Sequence, residues 1–349
     1  MKTLTIPIVL FGLAVACRAC LAAELLQDME ARGYAAIDRG DLAAAVRVFS
    51  MVTQHYPDSP RGYAGRGIVY AKQDQCEKAI VDFTKAIQLG QRESNVFHNR
   101  GVCLDAIGKW KLAIDDYTEA IRLDPNDTWS YFRRALSQDR VGNQDQAIRD
   151  LTQAIAIDPK NASAYCARGE IYEKRGLLRE ASLDYNATLE CDPEMARGYW
   201  HLGRLAYRFG AIDFAITCFD EAVRLNSQSD TAHNYRACAH FAQGDYDKAI
   251  ADCNEALRIN PRFAGAYHSR ACMRLSKDNF SEAIADCTEA IRFSPSFAEA
   301  YYTRGCAYEK KGDKPKANED YAKAKKLGYK DEATDPTMLP SPSDNAGAW

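Results

Sequence analysis

Histidine and cysteine are where chemistry would begin in this chain, with six of the first and twelve of the second. His55, His98, His201, His233, His240 and His268 form no H-E-x-x-H pair, the spacing that sets two zinc ligands on one helix face. His268 and Cys272 stand four apart, which suits two ligands on a helix, but two ligands do not complete a zinc site. Cys17-Arg18-Ala19-Cys20 has the spacing of a redox pair, yet it sits in an N-terminal segment that reads as removable. Cys238, Cys272 and Cys306 recur 34 residues apart. On neighbouring packed helices, ~8–10 Å apart, such thiols are too distant to bridge. Cys76, Cys103, Cys166, Cys191, Cys218, Cys253 and Cys287 read as small core filler. Neither a phosphate-cradling G-x-x-x-x-G-K-[ST] loop nor a G-x-S-x-G nucleophile turn is present. The sequence therefore predicts no catalytic residue, no metal and no cofactor: a chain that is not an enzyme.

Composition narrows the partners. The formal charge is −3, with 46% hydrophobic and 27% charged residues, a balance that argues against bulk nucleic-acid binding. Lys2, an apolar run from Leu4 to Ala16 and small residues up to Ala23 form the secretory pattern. Residues 1–23 are thus expected to be a signal peptide cut after Ala22 or Ala23, giving a periplasmic or secreted protein. Its loss, with Lys2 and Arg18, takes the charge from −3 to −5. The alternative is a membrane anchor through the same segment, although Pro7 interrupts it and a span needs ~20 apolar residues. The mature chain is not expected to span a membrane. Ten thiols in an oxidising compartment are unusual; either they are buried and inert, or some of them pair.

The elements that must position these residues follow a 34-residue period. Ala45, Ala79, Ala113, Ala147, Ala181, Ala215, Ala249, Ala283 and Ala317 are each 34 apart, and nine blocks run from Leu26 to Asp331 without a gap. The blocks are 26–59, 60–93, 94–127, 128–161, 162–195, 196–229, 230–263, 264–297 and 298–331. Glycine at position 15 (Gly40, Gly108, Gly142, Gly176, Gly210, Gly244 and Gly312) should end a first helix, and proline at position 32 a second. Small residues at positions 8 and 20 let the two helices touch. Their apolar stripe, such as Ile114, Tyr117, Ile121 and Leu123, is too wide for one hairpin to bury, so hairpins must stack. In the last block positions 21 and 28 become Asn318 and Lys325, as expected where stacking ends. Residues 332–349 read as a disordered tail.

The run Phe97-His98-Asn99-Arg100-Gly101 … Gly108-Lys109-Trp110 … Ala113-Ile114-Asp115-Asp116-Tyr117 … Ala120-Ile121-Arg122-Leu123-Asp124-Pro125 resembles the tetratricopeptide repeat. The resemblance implies an all-α fold, a right-handed α-solenoid of antiparallel helix hairpins, whose first helices line a groove for peptides or proteins.

Charges repeat inside the blocks. Arginine at position 7 and aspartate at position 23 predict Arg66–Asp82, Arg100–Asp116, Arg134–Asp150, Arg168–Asp184, Arg236–Asp252, Arg270–Asp286 and Arg304–Asp320. The sixth block loses both at once, with Leu202 and Cys218, which suggests that the two positions bond each other. In the first, Arg32 stands opposite Val48. A structural ion pair is the favoured reading over an arginine ladder for phosphate.

The resemblance also implies which residues line the groove, at first-helix positions 2, 5, 6, 9, 12 and 13. They are Trp129, Phe132, Arg133 and Arg140 in the fourth block, Arg197, Trp200, Arg204 and Tyr207 in the sixth, and Tyr235 and Phe241 in the seventh. Aromatics and arginines dominate binding energy at interfaces. The family's carboxylate clamp is matched only by Asn99 and Arg133, with Ala64, Ile68 and Trp129 in place of its other members. The expected partner is a protein or peptide, unidentified, with an extended segment carrying carboxylates and apolar side chains. The alternatives are an accessory subunit of a cell-envelope assembly and a self-assembling structural protein.

Overall fold

The computed structural model describes residues 23–329, and among them every regular element is an α-helix. The expected signal (save Ala23) and the 332–349 tail lie outside the described residues. Contacts divide the chain between Ile171 and Tyr172 into two compact units. The first holds α1 (23–38), α2 (Leu42–His55), α3 (Pro60–Lys72), α4 (Cys76–Gln88), α5 (Ser94–Ala106), α6 (Trp110–Leu123), α7 (Thr128–Arg140) and α8 (Gln144–Ile157). The boundary falls within α9 (Ala162–Lys174). The second unit continues with α10 (Leu178–Cys191), α11 (Ala196–Arg208), α12 (Ile212–Leu225), α13 (Asp230–Gln243) and α14 (Tyr246–Ile259). It closes with α15 (Ala264–Ser276), α16 (Phe280–Phe293), α17 (Ala298–Lys310) and α18 (Lys314–Lys326). No described helix is long and apolar enough to cross a membrane.

Local chemistry sets each hairpin. Ser59 caps α3, its hydroxyl accepting from the Gly62 amide at 3.1 Å, and Pro60 opens the helix with a φ already helical. After α5 the chain turns at Gly108, φ 73°, where the Gly108 and Lys109 amides donate back to the Asp105 and Leu104 carbonyls. Where position 15 is not glycine, Asp74 and Asp278 take the same left-handed turn at φ 57° and 58°. Aspartate is among the few side chains that tolerate it.

Within each unit a second helix packs on the next first helix, α4 on α5 and α6 on α7, or α12 on α13 and α14 on α15. First helices also touch first helices, α3 with α5 and α13 with α15. The core lies between them. Phe49, Phe83, Tyr117 and Phe219 are wholly enclosed, each contributing about 1.5–3 kcal/mol by burial. On α18 only Ala317, Asp320 and Ala324 are buried, while Asn318 and Lys325 face water.

The arginine–aspartate pairs form inside the hairpins. Arg100 donates from Nε and Nη2 to the two Asp116 oxygens at 2.8 and 2.6 Å. The same two-pronged bond joins Arg66 to Asp82, Arg134 to Asp150, Arg236 to Asp252, Arg270 to Asp286 and Arg304 to Asp320. Arg168 and Asp184 belong to different units. Each of these arginines has a further arm that the sequence did not suggest. Nη1 of Arg100 donates to Thr84 of the preceding hairpin at 3.1 Å, and Arg134 reaches Thr118 likewise. Arg236 finds Asp220 and Arg270 finds Asn254 at the same step back. One side chain thus ties three helices. In the sixth hairpin, Leu202 and Cys218 are buried instead, and Arg32 of the first bridges Asp28 on its own helix at 2.7 Å.

Candidate binding surface

The first helices of the opening unit present a wall whose residues follow from the repeat. Trp129, at position 2, is 59% exposed, its ring perpendicular to Phe132 at 6.1 Å. Phe132 and Arg133 are half-buried and Arg140 is exposed. Beneath Arg133, Asp105 accepts hydrogen bonds from the Ser137 hydroxyl at 2.6 Å and the Tyr117 hydroxyl at 2.9 Å. Burial raises the Asp105 pKa, partly offset by those two donors and by Arg133 and Arg140.

Two helices earlier the wall opens into a cleft of about 210 Å³ between α1, α3 and α5. Ala64, Ile68, Phe83 and Val96 supply apolar surface, and Arg61, Asn95 and Asn99 stand among the polar residues that complete it. Sequence reasoning placed the groove in the middle repeats and missed this cleft. The available signal was Ala64 at position 5, where the sixth block has Trp200. A methyl group in place of an indole leaves a hole.

In the second unit the wall is filled. Trp200 is half-buried and meets Tyr235 edge-on at 5.4 Å, with the Arg204 guanidinium 4.8 Å above the Trp200 ring. Arg204 also bonds Glu173 at 2.5 Å. Burial works against the Glu173 carboxylate, but His201, Arg204 and Tyr185 outweigh it and hold the pKa below the usual range. Tyr207 and Tyr235 are only 3% and 6% exposed. They are therefore corrected from presenting side chains to supporting ones: both belong to one buried cluster, in which Tyr235 packs on the Trp200 and Phe219 rings. Phe241 is half-buried against Tyr246, and Arg197 is exposed.

His268 and Cys272 do come together, Sγ to Nε2 at 3.6 Å, but the Thr303 hydroxyl completes the group at 3.1 Å from the same nitrogen. This is a buried hydrogen-bonded cluster. The ten cysteines from Cys76 to Cys306 are all thiols.

Profiles described as tetratricopeptide repeat or TPR repeat match residues 30–95, 94–127, 116–149, 140–176, 176–230, 231–263 and 298–333. The chain belongs to the tetratricopeptide repeat family, whose members serve typically as protein-interaction scaffolds. A tetratricopeptide repeat protein from Parabacteroides merdae is 24% identical, with 68% of this chain and 94% of that one covered and a TM-score of 0.55. The Cut9–Hcn1 hetero-tetramer of the APC/C is similar at 18% identity, covering 76% and 52%, with a TM-score of 0.58. Pseudomonas aeruginosa pilF follows at 19%, covering 62% and 98%, with a TM-score of 0.54. These likenesses establish the shared fold. No curated protein matches the sequence.

Proposed function

We propose that this chain is a non-catalytic scaffold that binds an extended segment of a partner protein along the first-helix wall of its opening unit. The observation that carries the reading is Trp129. A large indole left 59% exposed beside Phe132 and Arg133 has little packing to do in the hairpin itself, and tryptophan with arginine is the pair most enriched where binding energy concentrates. The reading includes export, on the strength of the signal pattern in residues 1–23; N-terminal sequencing of the native protein should then begin at Ala23 or Glu24.

Selection from a displayed library of random twelve-residue peptides tests the binding. Peptides enriched on the wild type should lose at least tenfold in affinity on Trp129→Ala, with helicity unchanged. Enrichment of nothing above background, or of peptides indifferent to Trp129→Ala, would overturn the reading.

A further inference from the structure

Two of the thiols stand apart from the core filler. Position 17 of the repeat is cysteine in the second block alone, as Cys76, where other blocks carry residues such as Leu42, Trp110 and Phe280. Position 10 is cysteine in the third block alone, as Cys103. Two columns that each change once, in consecutive blocks, are the pattern expected of residues that meet.

The fold brings them together. Cys76 is the first residue of α4 and Cys103 lies in the last turn of α5, and these two helices pack on each other. Cys103 is 1% exposed within the core cluster of Phe83 and Val96, and Cys76 packs against that same cluster while staying half-buried. Burial pushes the Cys103 thiol up to about 12, and the adjoining Cys76 thiol adds to the shift. The recurring Cys238, Cys272 and Cys306 occupy one position on successive first helices; Cys76 and Cys103 instead face one another across a single interface. No third histidine, cysteine, aspartate or glutamate among the described residues joins them in a group sized for a metal ion. What two neighbouring thiols can do without a third ligand is oxidise to a disulfide.

We propose that Cys76 and Cys103 are an oxidation site, closing into a disulfide that ties the second hairpin to the third. The oxidant is a small disulfide such as oxidised glutathione. Cys76, the reachable thiol, loses its proton and attacks one glutathione sulfur, forming a mixed disulfide and releasing the first reduced glutathione. Cys103 then loses its proton and attacks the Cys76 sulfur, forming the protein disulfide and releasing the second. The protein gives up two electrons and two protons, which the two glutathione thiols carry away. Export would set the pair in an oxidising compartment, but the step itself requires only the oxidant, and it is independent of the first-helix wall. Because the two residues are 27 positions apart, the bond also restrains the unfolded chain.

The folded full chain, reduced and then incubated with excess oxidised glutathione, tests this. Free thiols are trapped with iodoacetamide, and unreduced digests are read by mass spectrometry. The Cys76–Cys103 linkage should exceed any other cysteine pairing at least tenfold. The urea midpoint should rise on oxidation and fall back with dithiothreitol. Cys103→Ala should halt the reaction at Cys76 carrying glutathione, and Cys76→Ser should leave Cys103 a free thiol, both with helicity unchanged. The Cys76→Ser variant, at a half-buried position, carries the test alone if Cys103→Ala does not fold. Both thiols recovered alkylated, or Cys76 halted with glutathione in the wild type, would overturn the proposal. So would a linkage that forms only in urea or one that lowers the midpoint, since either would show a bond made against the native packing.

Discussion

A Cβ on Gly101 would stand 2.8 Å from the Tyr117 ring, so this ring packs directly on bare backbone of the facing helix. Gly33 with Phe49, Gly67 with Phe83, Gly203 with Phe219 and Gly305 with Tyr321 repeat the arrangement. Where position 24 is smaller, as in Leu151, Cys253 and Cys287, position 8 is Ala135, Ala237 and Ala271. The two positions share one volume. Gly101→Ala should therefore destabilise by about 1–3 kcal/mol through overpacking. In the double variant with Tyr117→Leu the losses should be less than additive, as expected for residues in contact. Urea unfolding of the four chains gives the coupling; strict additivity would contradict the shared volume.

Arg100 tests the three-helix tie. Its pair with Asp116 is mostly enclosed, and burial raises the Asp116 pKa against the pull of the arginine. Arg100→Ala strands that carboxylate, a change worth about 3 kcal/mol when the partner is buried. The sixth hairpin shows the apolar solution, so Arg100→Leu with Asp116→Cys should recover much of the loss. Amide exchange in α5 and α6 is the direct measurement, since stability in stacked hairpins is local.

The His268 cluster predicts a pH dependence. Burial lowers the His268 pKa from 6.5 to about 4, with only Glu299 pulling the other way. The folded value lies below the unfolded one, so the unfolded chain takes up the proton first as pH falls. This contribution is intact above pH 6.5, declines between 6.5 and about 4, and levels off below. Over that window it amounts to roughly 3 kcal/mol at most. His268→Gln should flatten this part of the stability profile, and an unchanged slope would remove the histidine from the explanation.

Thiol chemistry offers a fourth check. Burial pushes Cys238 up to about 12 and Cys272 to about 11, and reaction requires the thiolate. In the native protein at pH 7.4, iodoacetamide should modify half-buried Cys76 well before Cys238 or Cys253. Equal rates, read by peptide mass spectrometry, would show that the hairpins open far more readily than their packing implies.

Much of this was legible in the residues. The 34-residue period gave the hairpins, and the joint absence of arginine and aspartate from the sixth block pointed to a bond within the hairpin. What stayed hidden lies between hairpins or depends on volume. The arm from Arg100 to Thr84 needs the packing of consecutive hairpins, which no single block encodes. Position 12 and position 6 were expected to present Tyr207 and Tyr235; both are buried in one cluster, Tyr235 against the Trp200 and Phe219 rings. The cleft is the converse case, since a search for large interface residues passes over Ala64. The pairing of glycine at position 8 with a ring at position 24 was written in the sequence, but it shows only when the two columns are compared.

Photo-crosslinking from inside the wall addresses the account most directly. A benzophenone amino acid replaces Trp129 in one variant and Val81, 68% exposed on α4, in another. With a peptide selected on the wild type, residue 129 should give a crosslinked product and residue 81 should give none. Crosslinking from residue 81 as strong as from residue 129, or from residue 81 alone, would contradict the claim that partners lie along the first helices.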